Sequence, residues 1–152
     1  MKLRKCKVKG RILASYLRKY ADDLPEHSVR KATSRTVMPK WITYCDDKGI
    51  ASAMRYERND WYLCTVKNAA VRPDLRGKGH GNTLYKTTAE LAKKNPKCKV
   101  LAADVTVTNI PSIKALKRNG FVKIESFCWK KGEQPADVMH FVKLPPLGGK
   151  CR

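Results

Sequence analysis

Acidic residues are scarce in this sequence: 13 Asp and Glu stand against 33 Lys and Arg, a formal net charge of +20 over 152 residues. That balance disfavours polyamines and histone-like tails as ligands, because a cleft for those is normally acidic. Long apolar runs are missing too. None approaches the roughly 20 residues that cross a bilayer, and the basic start MKLRKCKVKGR leads into no signal core, so the expectation is no membrane, a soluble chain and a cytoplasmic location. There is no C-x-x-C pair and no histidine at zinc-finger spacing. That argues against a metal site and reads Cys6, Cys45, Cys64, Cys98, Cys128 and Cys151 as ordinary thiols. Neither G-x-G-x-x-G nor a glycine-rich loop ending in Gly-Lys-Ser/Thr occurs, which removes the common dinucleotide and P-loop signatures.

What is present is one domain's worth of chain, long enough for a core without staples. The positive excess runs through residues 1–40, 61–100 and 101–152 and lapses only over 41–60. Spread over a fold rather than confined to a tail, it suits a polyanion: a CoA-sized ligand, a nucleic acid or an acidic protein.

CKVKG alternates as a short first strand. ILASYLRKYADDL sets Ile12, Leu13, Tyr16, Leu17 and Tyr20 at helical spacing, and Pro25 closes it. Residues 25 to 40 read as a loop or a short second helix. WITYC, IASAMRYE and WYLCTVKNAAV, joined by DDKG and RND, are three antiparallel strands, the third long enough to need a bulge or kink. GNTLYKTTAELAKKN is a helix and VLAADVTV a strand. PSIKALKRNG is a second helix, opened by Asn109 and capped by Gly120. FVKIESFCW and VMHFVKL form a final hairpin across the loop KKGEQPAD. The sum is an α/β (α+β) domain over residues 1–144, one mixed twisted sheet of six or seven strands flanked by helices, with 145–152 a flexible tail.

The densest signal is VRPDLRGKGHGN, residues 71–82. Gly77, Gly79 and Gly81 let the main chain approach a ligand, and a helix start adds unpaired amides at its positive end, an arrangement that holds a diphosphate.

This stretch resembles the R/Q-x-x-G-x-G/A signature of the GNAT superfamily of acyl-CoA N-acyltransferases, with Arg76, Gly79 and Gly81 on its defining positions. NIPSIKALKRNGF resembles that family's second signature through Asn109, Gly120 and Phe121, and the element order from about residue 5 to 144 follows the family. The resemblance implies splayed middle strands, acetyl-CoA or another acyl-CoA as cosubstrate, and transfer of the acyl group to an amine. It implies that the amides of Lys78, Gly79, His80, Gly81 and Asn82 grip the pyrophosphate, with Gly77 in the same turn. Arg76 would shape the turn, Arg72 or Lys78 would lie near phosphate charge, and Val71 would run beside the pantetheine arm. Asn109 would bond that arm or fix its helix start. A main-chain amide near Ala70 would polarise the thioester carbonyl.

One position departs. The family's usual tyrosine, four residues before the Gly-Phe glycine, is Leu116, leaving Ser112, Tyr85 or no dedicated acid to protonate the leaving thiolate. Asp104 is the favoured base; Glu57 reads as solvent-facing and His140 as a structural histidine. Trp41, Tyr56, Trp61, Tyr62 and Trp129, interleaved with Arg55, Arg58 and Lys130, read as core or as a base-stacking surface. Two functions follow: N-acetyltransferase on an amine, including one borne by nucleic acid, tRNA or an acidic macromolecule, or an inactive CoA- or nucleic-acid-binding module of the same fold. Monomer and homodimer are both compatible.

Overall fold

The computed structural model describes residues 3–21, 24, 26–33, 40–58, 61–131 and 134–144. Its elements run β1 (Arg4–Cys6), α1 (Gly10–Tyr20), α2 (Glu26–Thr33), β2 (Lys40–Asp46), β3 (Gly49–Arg58), β4 (Leu63–Val71), a 3-10 turn (Pro73–Leu75), α3 (His80–Lys94), β5 (Val100–Thr106), α4 (Ile110–Arg118), β6 (Val122–Lys131) and β7 (Gln134–Lys143). The strands form one sheet in the order β1-β2-β3-β4-β5-β7-β6. The mixed α/β sheet expected from the sequence is the fold observed. The proposed domain end and the tail 145–152 fall at and beyond the limit of the described residues.

Two apolar clusters, one on each face, hold the helices to the sheet. Leu84, Tyr85 and Ala92 of α3 and Ile113, Ala115 and Leu116 of α4 pack with Met54, Val66, Leu101, Ala103, Val105 and Phe141 of the strands. On the other face Leu13, Ala14, Tyr16 and Leu17 of α1 and Val29 of α2 pack with Ile50, Ala53 and Ala70. Ile12, placed on the buried stripe by spacing, is instead about half exposed, because the stripe rotates onto Ala14. Of residues 25 to 40, among which 25 and 34–39 lie outside the described residues, Glu26–Thr33 are helical as α2. Arg18 fastens it to α1, donating to Glu26 through Nε at 2.9 Å and Nη2 at 2.7 Å.

Two expectations fail here. Cys6 and Cys45 are not free thiols but a disulfide. Antiparallel β1 and β2 set Cys6 opposite Thr43 and Cys45 opposite Arg4, so the two cysteines are diagonal neighbours with Cα atoms 6.0 Å apart, within bonding reach. Cys64 and Cys98 are buried thiols and Cys128 an exposed one. The connection read as a long loop at KKGEQPAD is mostly strand: β6 and β7 leave only residues 132–133 between them. Gln134 to Asp137 extend the ladder as partners of Lys131 to Cys128, and β7 inserts between β5 and β6.

Among the described residues no helix is long and apolar enough to cross a membrane, and no cluster of three or more His, Cys, Asp or Glu could hold a metal ion.

Candidate active site

Parallel β4 and β5 share only the rungs Leu63↔Val100, Cys64↔Leu101, Thr65↔Ala102 and Val66↔Ala103. Beyond them β4 continues on β3 alone, and β5 on β7 alone, so the sheet opens. The cause lies in β4. Between Ala53↔Ala70 and Arg55↔Lys67 it carries one residue more than β3, and Asn68 takes φ 54°, a left-handed turn that asparagine tolerates. Such a bulge bends its strand, here away from β5.

The main chain past the bulge has a defined polarity. Arg72 N–H donates to Ala51 O at 2.9 Å, and antiparallel ladders alternate, so Ala70, two residues back, turns its amide toward β3. The amide near Ala70 expected to polarise the carbonyl is therefore not Ala70's own. Val71, one residue on, turns toward the opening. The Tyr16 hydroxyl of α1 sits over this stretch, 3.1 Å from both Ala70 O and Ala51 O.

After Val71 the chain makes the Pro73–Leu75 turn, and Arg76 Nε reaches back to Val71 O at 3.0 Å. Gly77 and Gly79 follow at φ 74° and 86°, which side chains rarely adopt. The first helical bond of α3 is Thr83 N–H to Gly79 O, at 3.0 Å, so the amides just before Thr83 have no intrahelical acceptor. A Cβ built on Gly77, Gly79 or Gly81 would meet nothing within 4 Å. The turn thus faces open space with unpaired donors, as a diphosphate requires. Asn82 is held from the side: Asn119, after α4, donates to its Oδ1 at 2.9 Å and to Ala115 O at 2.8 Å, tying the start of α3 to the end of α4.

Arg72, expected near phosphate, is occupied elsewhere. Its guanidinium is nine-tenths buried, pairs with Asp46, and donates from Nε to Asp74 Oδ1 at 2.7 Å. These partners raise its pKa, with Asp46 the larger cause. Its bonds tie the end of β2 to the Pro73–Leu75 turn. An open depression of about 430 Å³ beside it, lined by Tyr20, Lys48, Arg72, Pro73 and Asp74, includes no residue of the split.

Asn109 Oδ1 accepts from Ser112 N at 3.3 Å, so it caps α4. The two hydroxyls considered as acids lie together: Tyr85 is buried in the α3–α4 core, and burial raises its pKa while the adjacent Ser112 side chain opposes the rise. On the opposite face Asp104 Oδ1 lies 2.5 Å from His140 Nδ1. Glu57, read as solvent-facing, is largely buried and pairs with Arg55, with Lys67 Nζ 3.8 Å away.

The sequence over residues 10–121 matches the family model "Acetyltransferase (GNAT) family". The chain belongs to the GNAT family. No curated protein matches it. Solved GNAT structures do. The Escherichia coli ribosomal-protein-S18-alanine N-acetyltransferase superposes with a TM-score of 0.78, at 14% identity over 98% of this chain and 96% of that one. A GNAT acetyltransferase from Bacillus anthracis gives 0.71 at 15% identity, over 94% and 93%. Spermidine N-acetyltransferase from Vibrio cholerae, in complex with CoA and spermine, gives 0.71 at 14% identity, over 95% of each. At such identities the likeness is one of fold.

Within this GNAT frame the structure brings Val71, Arg76, Gly77, Lys78, Gly79, His80, Gly81 and Asn82 around one opening, and puts Ser112 beside Tyr85. Leu116, at the usual tyrosine's place, is fully buried in the core. Of the aromatic set, Tyr56 is core, whereas Trp61 is 70% exposed and rests edge-on against Tyr62. The Trp129 side chain lies outside what is described. Three contributors escaped the sequence reading. Asp46 hid in a turn signal, Asn119 in a helix end, and Tyr16 in an apolar stripe, where only its recurrence with Tyr20 hinted at a hydroxyl pointing inward.

Proposed function

We propose that this GNAT protein is an acyl-CoA-dependent N-acetyltransferase that moves an acetyl or related acyl group to an amine entering from the α1–α2 face. The observation that carries the reading is the glycine turn. Its amides before Thr83 lack intrahelical acceptors, it faces space a Cβ would not contest, and it adjoins the split between β4 and β5.

The amides of Lys78, Gly79, His80, Gly81 and Asn82 would hold the pyrophosphate, with the Lys78 ammonium nearby. Asn119 would steady Asn82, and Arg76 would fix the turn. Val71, on the open side of β4, would bond the pantetheine arm, and a split-facing amide of β4, rather than Ala70's, would polarise the thioester carbonyl. When bound, acyl-CoA supplies the activated acyl group. Asn109 sets the start of α4 and thereby places Ser112, the candidate donor to the departing sulfur, with Tyr85 behind it.

The +20 charge supports an amine on a polyanionic partner, such as a nucleic acid, an aminoacyl end or an acidic protein, over a polycationic acceptor. Lys86, Lys93, Lys94, Lys114, Lys117 and Arg118, all exposed on α3 and α4, contribute to that field. Leu116 supports the second reading, a module that binds CoA or nucleic acid without turnover.

Thiol release from acetyl-CoA, followed with small amines, peptides, tRNA and DNA in turn and checked by intact mass of the acceptor, tests the proposal. Turnover with any of them supports the enzyme. CoA binding with no turnover in the whole panel supports the inactive module.

A further inference from the structure

We infer that His140 takes the proton from the acceptor amine and that Asp104 is its positioning residue, an assignment that rests on the acyltransferase reading above. Asp104 is the first β5 residue past the last rung shared with β4. Its neighbours Ala103 and Val105 belong to the α3–α4 core, so strand alternation turns Asp104 to the α1–α2 face. His140 is its register partner on β7 and shares that face.

The 2.5 Å contact joins Asp104 Oδ1 to Nδ1. A carboxylate there makes Nδ1 the protonated nitrogen of the neutral ring, which leaves the Nε2 lone pair to accept a proton. Among the described residues Nε2 has no recorded hydrogen-bond partner. Both side chains remain reachable, at 47% and 29% relative exposure for Asp104 and His140.

The charged groups around His140 favour this use. Asp104 on β5 and Glu125 on β6 are its register partners. On β7 and β6, Lys143 and Lys123 alternate to the other face, where Lys143 Nζ donates to Asn119 O at 2.7 Å. Across the split, Lys67 of β4 lies near Glu57. Among the described residues, two carboxylates and no cation therefore adjoin the imidazole on its own face along the strands that pair with it, which suits a site where an ammonium arrives and loses a proton.

The step balances. An ammonium R–NH3+ passes one proton to Nε2, and the freed lone pair forms the C–N bond to the acyl carbon. The C–S bond breaks with its electron pair on sulfur, and the second nitrogen proton ends on that sulfur. The products are the amide, CoA thiol and imidazolium, which returns its proton to water.

The test measures CoA thiol release from acetyl-CoA with benzylamine as the probe acceptor, and with water alone, across pH. His140→Gln should lower kcat/KM about 100-fold and replace the acid-side limb with one set by the amine's own ionisation, with CoA affinity and the thermal midpoint unchanged. Asp104→Asn should lower kcat with KM for acetyl-CoA unchanged, and free imidazole should restore part of the rate to His140→Ala. If His140→Gln keeps both rate and limb while Asp104→Asn loses them, Asp104 is itself the base and the inference is wrong. Wild type that binds CoA but releases no thiol with benzylamine or with any small amine, peptide, tRNA or DNA acceptor overturns the acyltransferase reading itself, a result distinct from a variant that fails on an active background.

Discussion

The hydroxyl of Tyr16 lies 3.1 Å from the carbonyl of Ala70 and 3.1 Å from that of Ala51, joining α1 to two strands just where one of them leaves the sheet. Burial raises the phenol's pKa, so it stays a donor at every working pH. Tyr16→Phe removes the donor and keeps the ring. The expected outcome is a loss of about 1 kcal/mol in stability by denaturant melting. KM for acetyl-CoA should rise more than kcat falls, because the strand beside the pantetheine arm loses its tether. An unchanged KM would show that β4 is held without α1.

Gly81 separates ligand room from backbone strain. Unlike Gly79 it has no positive φ, and a Cβ on it would touch no protein atom within 4 Å. Gly81→Ala should fold normally, even with a gain of roughly 0.5–1 kcal/mol in helix propensity. Calorimetric titration should nevertheless show CoA affinity falling at least about tenfold, equal to ~1.4 kcal/mol, because the methyl enters the diphosphate's space. Equal affinity in the variant would place the pyrophosphate elsewhere.

Asp46 gives the fold an acid-sensitive joint. Its pKa is lowered, chiefly by the hydrogen bonds from Arg72, against an opposing effect of burial. A carboxyl whose folded pKa lies below its unfolded one stabilises the fold fully above the unfolded value, and that contribution fades as pH falls through the folded one. Asp46→Asn should therefore lower Tm by several degrees at neutral pH. The gap between variant and wild type should close as the solution is acidified below the ordinary aspartate range. Parallel Tm curves down to that range would show that the Arg72 pair adds nothing to stability.

The cysteines should divide by position. Non-reducing peptide mapping should recover Cys6 joined to Cys45, and Cys6→Ser should cost up to roughly 3–4 kcal/mol from the loop it opens. In a Cys151→Ser background, native protein should react rapidly with a thiol reagent at Cys128 only. Cys64 and Cys98 should wait for unfolding, since both are buried and burial, with Cys64 adding to it, pushes the Cys98 thiol up to about 12.

The parts legible in the sequence were those fixed by local rules. Gly77 and Gly79 announced a turn that needs positive φ, Asn109 and Gly120 bracketed a helix, and alternation marked the strands. The length of WYLCTVKNAAV foretold a bulge, though not that Asn68 would carry it. What local rules could not supply was pairing between distant strands. The Cys6–Cys45 bond needs β1 laid against β2 in one register, and Asp104 meets His140 only because β7 inserts between β5 and β6. Arg72 misled for the same reason: a basic residue at the head of a phosphate turn looks like a phosphate ligand until the fold brings Asp46 beneath it. Glu57 failed likewise, since its burial depends on Arg55 and on neighbours from other strands.

The short seam between Leu63–Val66 and Val100–Ala103 has a mechanical consequence. It divides the sheet into two plates, one carrying the glycine turn and the other carrying Asp104 and His140, stitched by a few rungs and backed on one side by the α3–α4 core. A cosubstrate lying in the gap would act as a wedge whose two flanks belong to different plates. The angle between them would then set how far the acyl carbon stands from the imidazole, so that residues along the stitching, remote from any reacting atom, become part of the reaction's geometry.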